Sequence, residues 1–252
     1  MKIIEDVYYT YEEHPMKMLD IYLPDSEAFS VFVYFHGGGI KTGSRKEYDF
    51  IKHLVKQGVA VVSAEYRMYP IAVYPEFIRD AAAAVAWVHN NMSQYGKVKG
   101  LFVGGSSAGG YLTQMLCFDK KYLGIHDIDA DSITGYVMDA GQPTVHFNVL
   151  AERGIDSRRV IIDEAAPIFH VCGERNYPPM QIIVSDNDME NRYEQNCLLV
   201  STLKHFGFEE RVDFRYMRNH SHCEYVREFT EGGRSVFADM VYGFINKVLE
   251  VK

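Results

Sequence analysis

The chain predicts an α/β architecture: a doubly wound, mostly parallel sheet with helices on both faces and at most a small cap. Three observations carry this expectation. Apolar strand-like runs alternate with amphipathic helix-like segments along most of the length, the pattern of a parallel sheet covered on both sides. Several of the runs are continuous Val/Ile/Phe stretches, as strands buried on both faces require. Two glycine-rich turns, His36-Gly37-Gly38-Gly39 and Gly104-Gly105-Ser106-Ser107-Ala108-Gly109-Gly110, each directly follow such a run.

Strands are expected at residues 17–23 and 31–35, the second leading into the first glycine run. A helix at 46–56 and a strand at 59–64 follow. The helix at 76–92 carries Ala81-Ala82-Ala83-Ala84-Val85 and Trp87, good helix formers whose small side chains allow close packing on a sheet. The strand at 100–104 enters the second glycine run, and a helix at 108–118 leaves it. Strands at 133–139, 180–185 and 211–216 and helices at 192–206 and 235–251 complete the alternation. Residues 142–171 interrupt it with mixed charge, Pro143, Pro167 and no clear period; they read as an irregular crossover or a small cap insertion. No repeat, low-complexity tract or linker divides the chain, so 1–252 reads as a single domain.

Composition narrows the function classes. The 252 residues are 47% hydrophobic and 24% charged, ordinary for a chain with a substantial core. A formal net charge of −8 with no basic run argues against a nucleic-acid surface. The opening residues hold no apolar stretch fit for a signal peptide, and nothing approaches the roughly 20 apolar residues of a membrane span. Cys117, Cys172, Cys197 and Cys223 show no CxxC spacing, so neither a zinc site nor a disulfide framework is implied. Reduced thiols in a cytoplasmic enzyme without metal or cofactor are expected.

The second glycine run supplies a nucleophile. A serine held at a sharp strand-to-helix turn needs small neighbours two residues to either side, because the strained backbone leaves no room there. Gly105-x-Ser107-x-Gly109 meets that demand with Leu101-Phe102-Val103 before it. The register Gly104-x-Ser106-x-Ala108 is the competitor; Ser107 is preferred because glycine flanks it on both sides. Its position at a helix start places the Ala108 amide to donate toward a developing oxyanion. In the first run, glycines let backbone amides approach a substrate with no Cβ in the way. His36 reads as a packing or loop-holding residue, since it precedes the nucleophile in the wrong order for a base. Either glycine run alone also fits a plain turn; both together, each on a strand end, point to a serine hydrolase.

The partners should follow the serine in the order acid, then histidine. Met180-Gln181-Ile182-Ile183-Val184 runs into Ser185-Asp186-Asn187-Asp188-Met189-Glu190; Asp188 is the preferred acid, Asp186 the fallback, and Glu190 a solvated residue. Two histidines, His220 and His222, lie beyond the last strand, and spacing alone does not separate them. Most of the other eight histidines, such as His14, His53, His89 and His205, read as surface residues.

With these residues in view, the chain resembles the alpha/beta-hydrolase fold, and within it the hormone-sensitive-lipase-like and bacterial acetyl-esterase or carbohydrate-esterase group. The resemblance runs through Leu19-Asp20-Ile21-Tyr22-Leu23-Pro24, the two glycine runs, Tyr66-Arg67-Met68-Tyr69-Pro70, Tyr74-Pro75, Asp80, Ala166-Pro167-Ile168 and His222-Cys223-Glu224-Tyr225. It implies Ser107 as nucleophile, Asp188 as acid, His222 rather than His220 as base, and Gly38, Gly39 and Ala108 as oxyanion donors. Asp80 resembles a structural acid that steadies the oxyanion loops. Ser106 departs from the Asp that relatives often carry before the nucleophile, and little material precedes Tyr8 for a large cap. The implied activity is hydrolysis of a short-chain, acetyl-type ester, with a sugar as one candidate alcohol, so the expected partner is a small-molecule ester substrate. A homo-oligomer is compatible with the sequence. Three rivals share the fold: an arylformamidase acting on an N-formyl amide, a peptidase, which usually carries a propeller domain absent here, and a non-catalytic small-molecule receptor, which usually lacks a triad member.

Overall fold

A computed structural model describes residues 1–250. Eight strands form one sheet: β1 (Lys2–Tyr8), β2 (Met18–Leu23), β3 (Ala28–Phe35), β4 (Val59–Ala64), β5 (Lys97–Ser106), β6 (Gly135–Asp139), β7 (Met180–Asn187) and β8 (Val212–Ser221). Their spatial order is β1-β2-β4-β3-β5-β6-β7-β8. From β4 across to β8 every pairing is parallel, while β1–β2 and β2–β4 are antiparallel.

Helices α1 (Phe50–Lys56) and α7 (Val236–Glu250) cover one face. Helices α2 (Glu76–Asn91), α3 (Ala108–Phe118) and α6 (Arg192–His205) cover the other, with short α4 (Lys121–Gly124) and α5 (Phe147–Glu152) at its margin. The alternation of β3 sorts the two cores. Phe32 and Tyr34 pack toward α1 and α7, whereas Val31, Val33 and Phe35 pack toward α2 and α3. Every residue of α3 is buried, which explains its lack of a polar stripe. In α2, Ala81, Ala82, Ala84 and Ala86 are buried while Ala83 is only partly so, and the small side chains let the helix pack on β3 and β4 and on α3 and α4.

The expected doubly wound sheet is therefore present, with several differences at its edges. Strand β1 was not expected: it pairs on one side only, bends at a bulge between Ile4 and Val7, and is largely exposed, so it never needed a continuous apolar run. The helix expected at 46–56 begins only at Phe50; Tyr48, just before it, turns inward to the first glycine run instead. The strand expected at 211–216 continues to Ser221, so His220 lies within β8. The strand expected at 133–139 starts at Gly135, and that at 100–104 extends over Lys97–Ser106. The helices expected at 76–92 and 192–206 end one residue early, and Val251, the expected end of the last helix, lies outside the described residues. Parallel strands carry their ligand-facing residues at their carboxyl ends. Those of β3, β5, β7 and β8 deliver His36, Ser107, Asp188 and His222 respectively.

Candidate active site

Ser107 sits between β5 and α3 with φ 57° and ψ −112°, a left-handed conformation that a side-chain-bearing residue adopts only when its surroundings hold it. Two bonds do so. The Ser107 N–H donates to the Asp139 carbonyl at 2.8 Å, and the Ser107 carbonyl accepts from Tyr111 N–H at 2.9 Å. The flanking glycines are a steric requirement. A Cβ at Gly109 would stand 1.9 Å from the Phe35 carbonyl oxygen, and one at Gly105 would stand 2.5 Å from the Gly109 backbone.

This turn aims the Ser107 hydroxyl at His222: Oγ lies 2.7 Å from Nε2. On the other side of the ring, Nδ1 lies 2.5 Å from Asp188 Oδ1. An imidazole between a carboxylate and a hydroxyl donates from Nδ1 and accepts at Nε2. The Asp188 carboxylate, nearly unexposed, also accepts from Ser185 Oγ at 3.0 Å and from the Met189 N–H at 2.7 Å. Burial raises the Asp188 pKa, but the hydrogen bond and charge interaction with His222 outweigh it and the net shift is downward.

The alternatives go elsewhere. Ser106 is buried in the sheet, its Oγ accepting from the Tyr34 hydroxyl at 2.9 Å. Asp186 accepts from the Asn219 N–H at 2.9 Å, a bond that holds its pKa below the usual value. His220 pairs with Glu228 at 2.7 Å and with the Arg218 carbonyl. Glu190 is exposed.

The first glycine run faces the serine from β3. Its Gly37 N–H donates to the Tyr48 hydroxyl at 3.2 Å, whereas no bond among the described residues engages the N–H of Gly38 or Gly39. Gly38 adopts φ +110°, where a Cβ would stand 2.0 Å from the Thr42 carbonyl oxygen. Ala108 opens α3, so its amide is one of the unpaired donors of a helix start.

A polar network braces this loop from beneath. His36 is fully buried, stacks on Tyr66 at 4.6 Å and lies 2.5 Å from Glu65 through Nε2. Glu65 also accepts from the Arg45 N–H at 3.3 Å, and the Arg45 guanidinium contacts Asp20 at 3.1 Å and Asp6. His36 thus both packs, on Tyr66, and holds the loop, through the Gly37 carbonyl. Asp80 acts on the loop at one remove: it chelates Arg67 at 2.7 and 2.9 Å, two residues before Tyr69, whose N–H reaches the Ile40 carbonyl at 2.9 Å.

Residues 142–171 meet the site through α5. The Phe147 ring lies against Gly39, and Asn148 Nδ2 donates to the Gly39 carbonyl. His146, just before them, is buried beside Tyr111 and Phe147, so it departs from the surface role read for most of the other histidines. Burial, and then the Arg192 and Lys41 charges, hold its pKa well down.

Ser107 and His222 open onto a cleft of about 650 Å³ bordered by Gly37, Gly38, Tyr48, Cys223, Glu47 and Arg227. Among the described residues no group of three or more His, Cys, Asp or Glu side chains is placed to hold a metal ion. Tyr48, Glu65, Arg45 and Asn148 escaped the sequence reading, because each reaches the glycine run from a distant segment and none belongs to a local motif.

Solved structures share this architecture. Esterase B from Lactobacillus rhamnosis superposes with a TM-score of 0.80 at 17% identity, covering 99% of this chain and 86% of the other. A truncated carbohydrate esterase from gut microbiota gives 0.77 at 18% identity, covering 99% and 97%. These likenesses establish the alpha/beta-hydrolase fold. Among curated proteins, the esterase LipC of Mycobacterium tuberculosis is 28% identical over 219 residues, 77% of this chain and 54% of LipC. The carboxylesterase NlhH of the same species is 37% identical over 89 residues, 34% of this chain and 28% of NlhH. The chain thus spans about half the length of LipC, and the NlhH match is shorter still. The model of one family, BD-FAE, matches residues 19–149, a stretch of more than half the chain that includes both glycine runs and Ser107. By that match the chain belongs to the BD-FAE family.

Proposed function

We propose that the chain is a serine esterase that hydrolyses short-chain, acetyl-type carboxylic esters through an acyl-enzyme, with Ser107 as nucleophile, His222 as general base and Asp188 as its orienting acid. The observation that carries this reading is the unbroken line from Asp188 Oδ1 through His222 to Ser107 Oγ, at 2.5 and 2.7 Å. The esterase names of LipC and NlhH support it.

His222 takes the Ser107 proton as Oγ attacks the ester carbonyl. The carbonyl oxygen becomes an oxyanion facing the N–H groups of Gly38, Gly39 and Ala108. Preorganised donors of this kind are worth about 10²–10³ in rate each. Asp188 holds the Nδ1–H tautomer and stabilises the imidazolium. That imidazolium returns its proton to the leaving alcohol, and water, activated by the same His222, then releases the acid.

The open, partly charged cleft suits a polar alcohol such as a sugar better than a long acyl chain. The chain reads as a single domain in which residues 142–171 wall one side of the oxyanion loop, and as a cytoplasmic enzyme with unpaired cysteines. Hydrolysis of p-nitrophenyl acetate, butyrate and octanoate by the wild type and Ser107→Ala tests the reading. Turnover that favours acetate and disappears in Ser107→Ala supports it. Preference for octanoate overturns the acyl assignment, and an N-formyl amide cleaved where acetyl esters are not overturns the esterase reading.

A further inference from the structure

Among the ionisable groups that the proposed mechanism does not use, Asp139 is the buried carboxylate beside Ser107. Asp139, the last residue of β6, is completely buried and lies opposite Ser106 in the sheet register. Its backbone carbonyl holds the Ser107 N–H at 2.8 Å. One carboxylate oxygen accepts a short hydrogen bond from the Tyr225 hydroxyl, while the other has no partner. Tyr225, itself buried, belongs to the single turn Glu224–Val226 that follows His222 and Cys223. Cys223 in turn places its Sγ 3.8 Å from His222 Nε2.

One residue therefore ties the strand end beside the nucleophile to the turn that carries the base. A carboxylate buried without a cationic partner is costly, and uncharged hydrogen-bonding or apolar side chains would hold this turn as well. Such a group is explained more readily by what its charge does than by packing.

We propose that Asp139 is a positioning residue for the Ser107–His222 pair: it anchors the His222 turn through Tyr225 and places a second negative charge, besides that of Asp188, near the imidazole. This rests on the reading of Ser107 and His222 given above. The groups facing the carboxyl are Tyr34 from β3, Ser106 from β5, Cys223 and Tyr225 from the turn, and more distantly His222 and Asp188. Arg192 of α6 acts on Cys223 and Asp188. Burial pushes the Asp139 carboxyl up to about 6, against hydrogen bonds that pull it down. The Cys223 thiol is raised well above its usual value by burial and by the two carboxylates, so it stays a neutral thiol between them. Above pH 6 Asp139 is then ionised and favours the imidazolium that forms when Ser107 attacks.

The test compares wild type, Asp139→Asn and Tyr225→Phe in kcat, KM and the pH profile of kcat/KM on p-nitrophenyl acetate. Asn keeps an acceptor for Tyr225 but removes the charge. The expected result for Asp139→Asn is a kcat lower by about tenfold, KM within about twofold, and an acid limb moved to lower pH. Tyr225→Phe keeps the carboxyl but removes a hydrogen bond that favours its ionised form, so it lowers kcat and moves the acid limb less than Asp139→Asn does. The same profiles for covalent modification of Ser107 by diisopropyl fluorophosphate read the effect without ester turnover. A chain that takes the probe but cleaves no ester would defeat the substrate reading while still testing Asp139. An Asp139→Asn enzyme with unchanged kinetics, or one slowed with no movement of the acid limb, would overturn the proposal. If Asp139→Asn does not fold, Tyr225→Phe with wild-type kcat overturns it.

Discussion

Glu65→Ala removes the centre of the network under the first glycine run. Three interactions go with that side chain: the contact with His36 at 2.5 Å, the Arg45 N–H at 3.3 Å and the Arg45 guanidinium at 3.6 Å. Both partners are nearly unexposed, His36 completely so. Breaking a buried charged pair from one side costs about 3–5 kcal/mol, because the partner is left uncompensated. Arg45 keeps Asp20 and Asp6, so the expected loss falls at the lower end, about 3 kcal/mol. For a chain of this size that is a fall in Tm of about 6–12 °C. The same loss frees His36, whose Nδ1 holds the Gly37 carbonyl at 2.7 Å, so the glycine run loses its orientation. A drop in kcat of about 10²-fold, the worth of one oxyanion donor, is expected on p-nitrophenyl acetate. Glu65→Gln keeps an acceptor and should recover part of both losses. Calorimetry and steady-state kinetics read the two effects, with exposed Arg158→Ala as the control that leaves Tm unchanged. A Glu65→Ala protein within about 2 °C of wild type, with kcat within about twofold, would refute the coupling between the buried network and the loop.

Three further outcomes follow from the same geometry. Gly109→Ala places a Cβ 1.9 Å from the Phe35 carbonyl oxygen, so soluble expression and Tm should fall sharply; a wild-type melting curve would show that the α3–β3 approach is not as tight as described. Asp188→Asn leaves the packing but removes the charge that orients His222, and kcat should drop by about 10⁴, whereas Asp186→Asn should leave kcat within about twofold. Asp139 bears on stability as well as rate. Its carboxyl binds a proton up to about pH 6 in the folded state, against 3.8 unfolded, so the folded chain holds more protons in that window and stability falls as pH rises through it. The loss amounts to about 3 kcal/mol, and urea unfolding at pH 4 and pH 7 should show it in wild type but not in Asp139→Asn. Equal pH dependence in both proteins would contradict the assignment.

The legible part of this chain is what local chemistry dictates. Strands buried on both faces advertise themselves by unbroken apolar runs, and Gly105-x-Ser107-x-Gly109 is readable because the steric demand lies within five residues of sequence. Asp188 and His222 lie together because β7 and β8 are parallel neighbours that end on the same side of the sheet. Strand β1 stayed hidden because an exposed edge strand needs no core-facing pattern. The helix start at 46–56 misled for a related reason: the apolar character of Tyr48 serves the glycine run, not a helix face. The supports of the site were the least legible. Arg45 gathers Asp6, Asp20 and Glu65 from β1, β2 and the end of β4, and Asp139 meets Tyr225 across 86 residues of chain. Only the three-dimensional pairing of strands brings such groups together, and no spacing in the sequence encodes it.

On the proposed mechanism Ser107 carries the acyl group. Rapid quenching of the wild type during turnover of p-nitrophenyl acetate, followed by peptide mass spectrometry, tests it directly. The expected result is an acetyl group on the peptide bearing Ser107, a burst of p-nitrophenol that matches the enzyme concentration, and neither in Ser107→Ala. Acetyl found on another residue, or turnover that survives in Ser107→Ala, would contradict it.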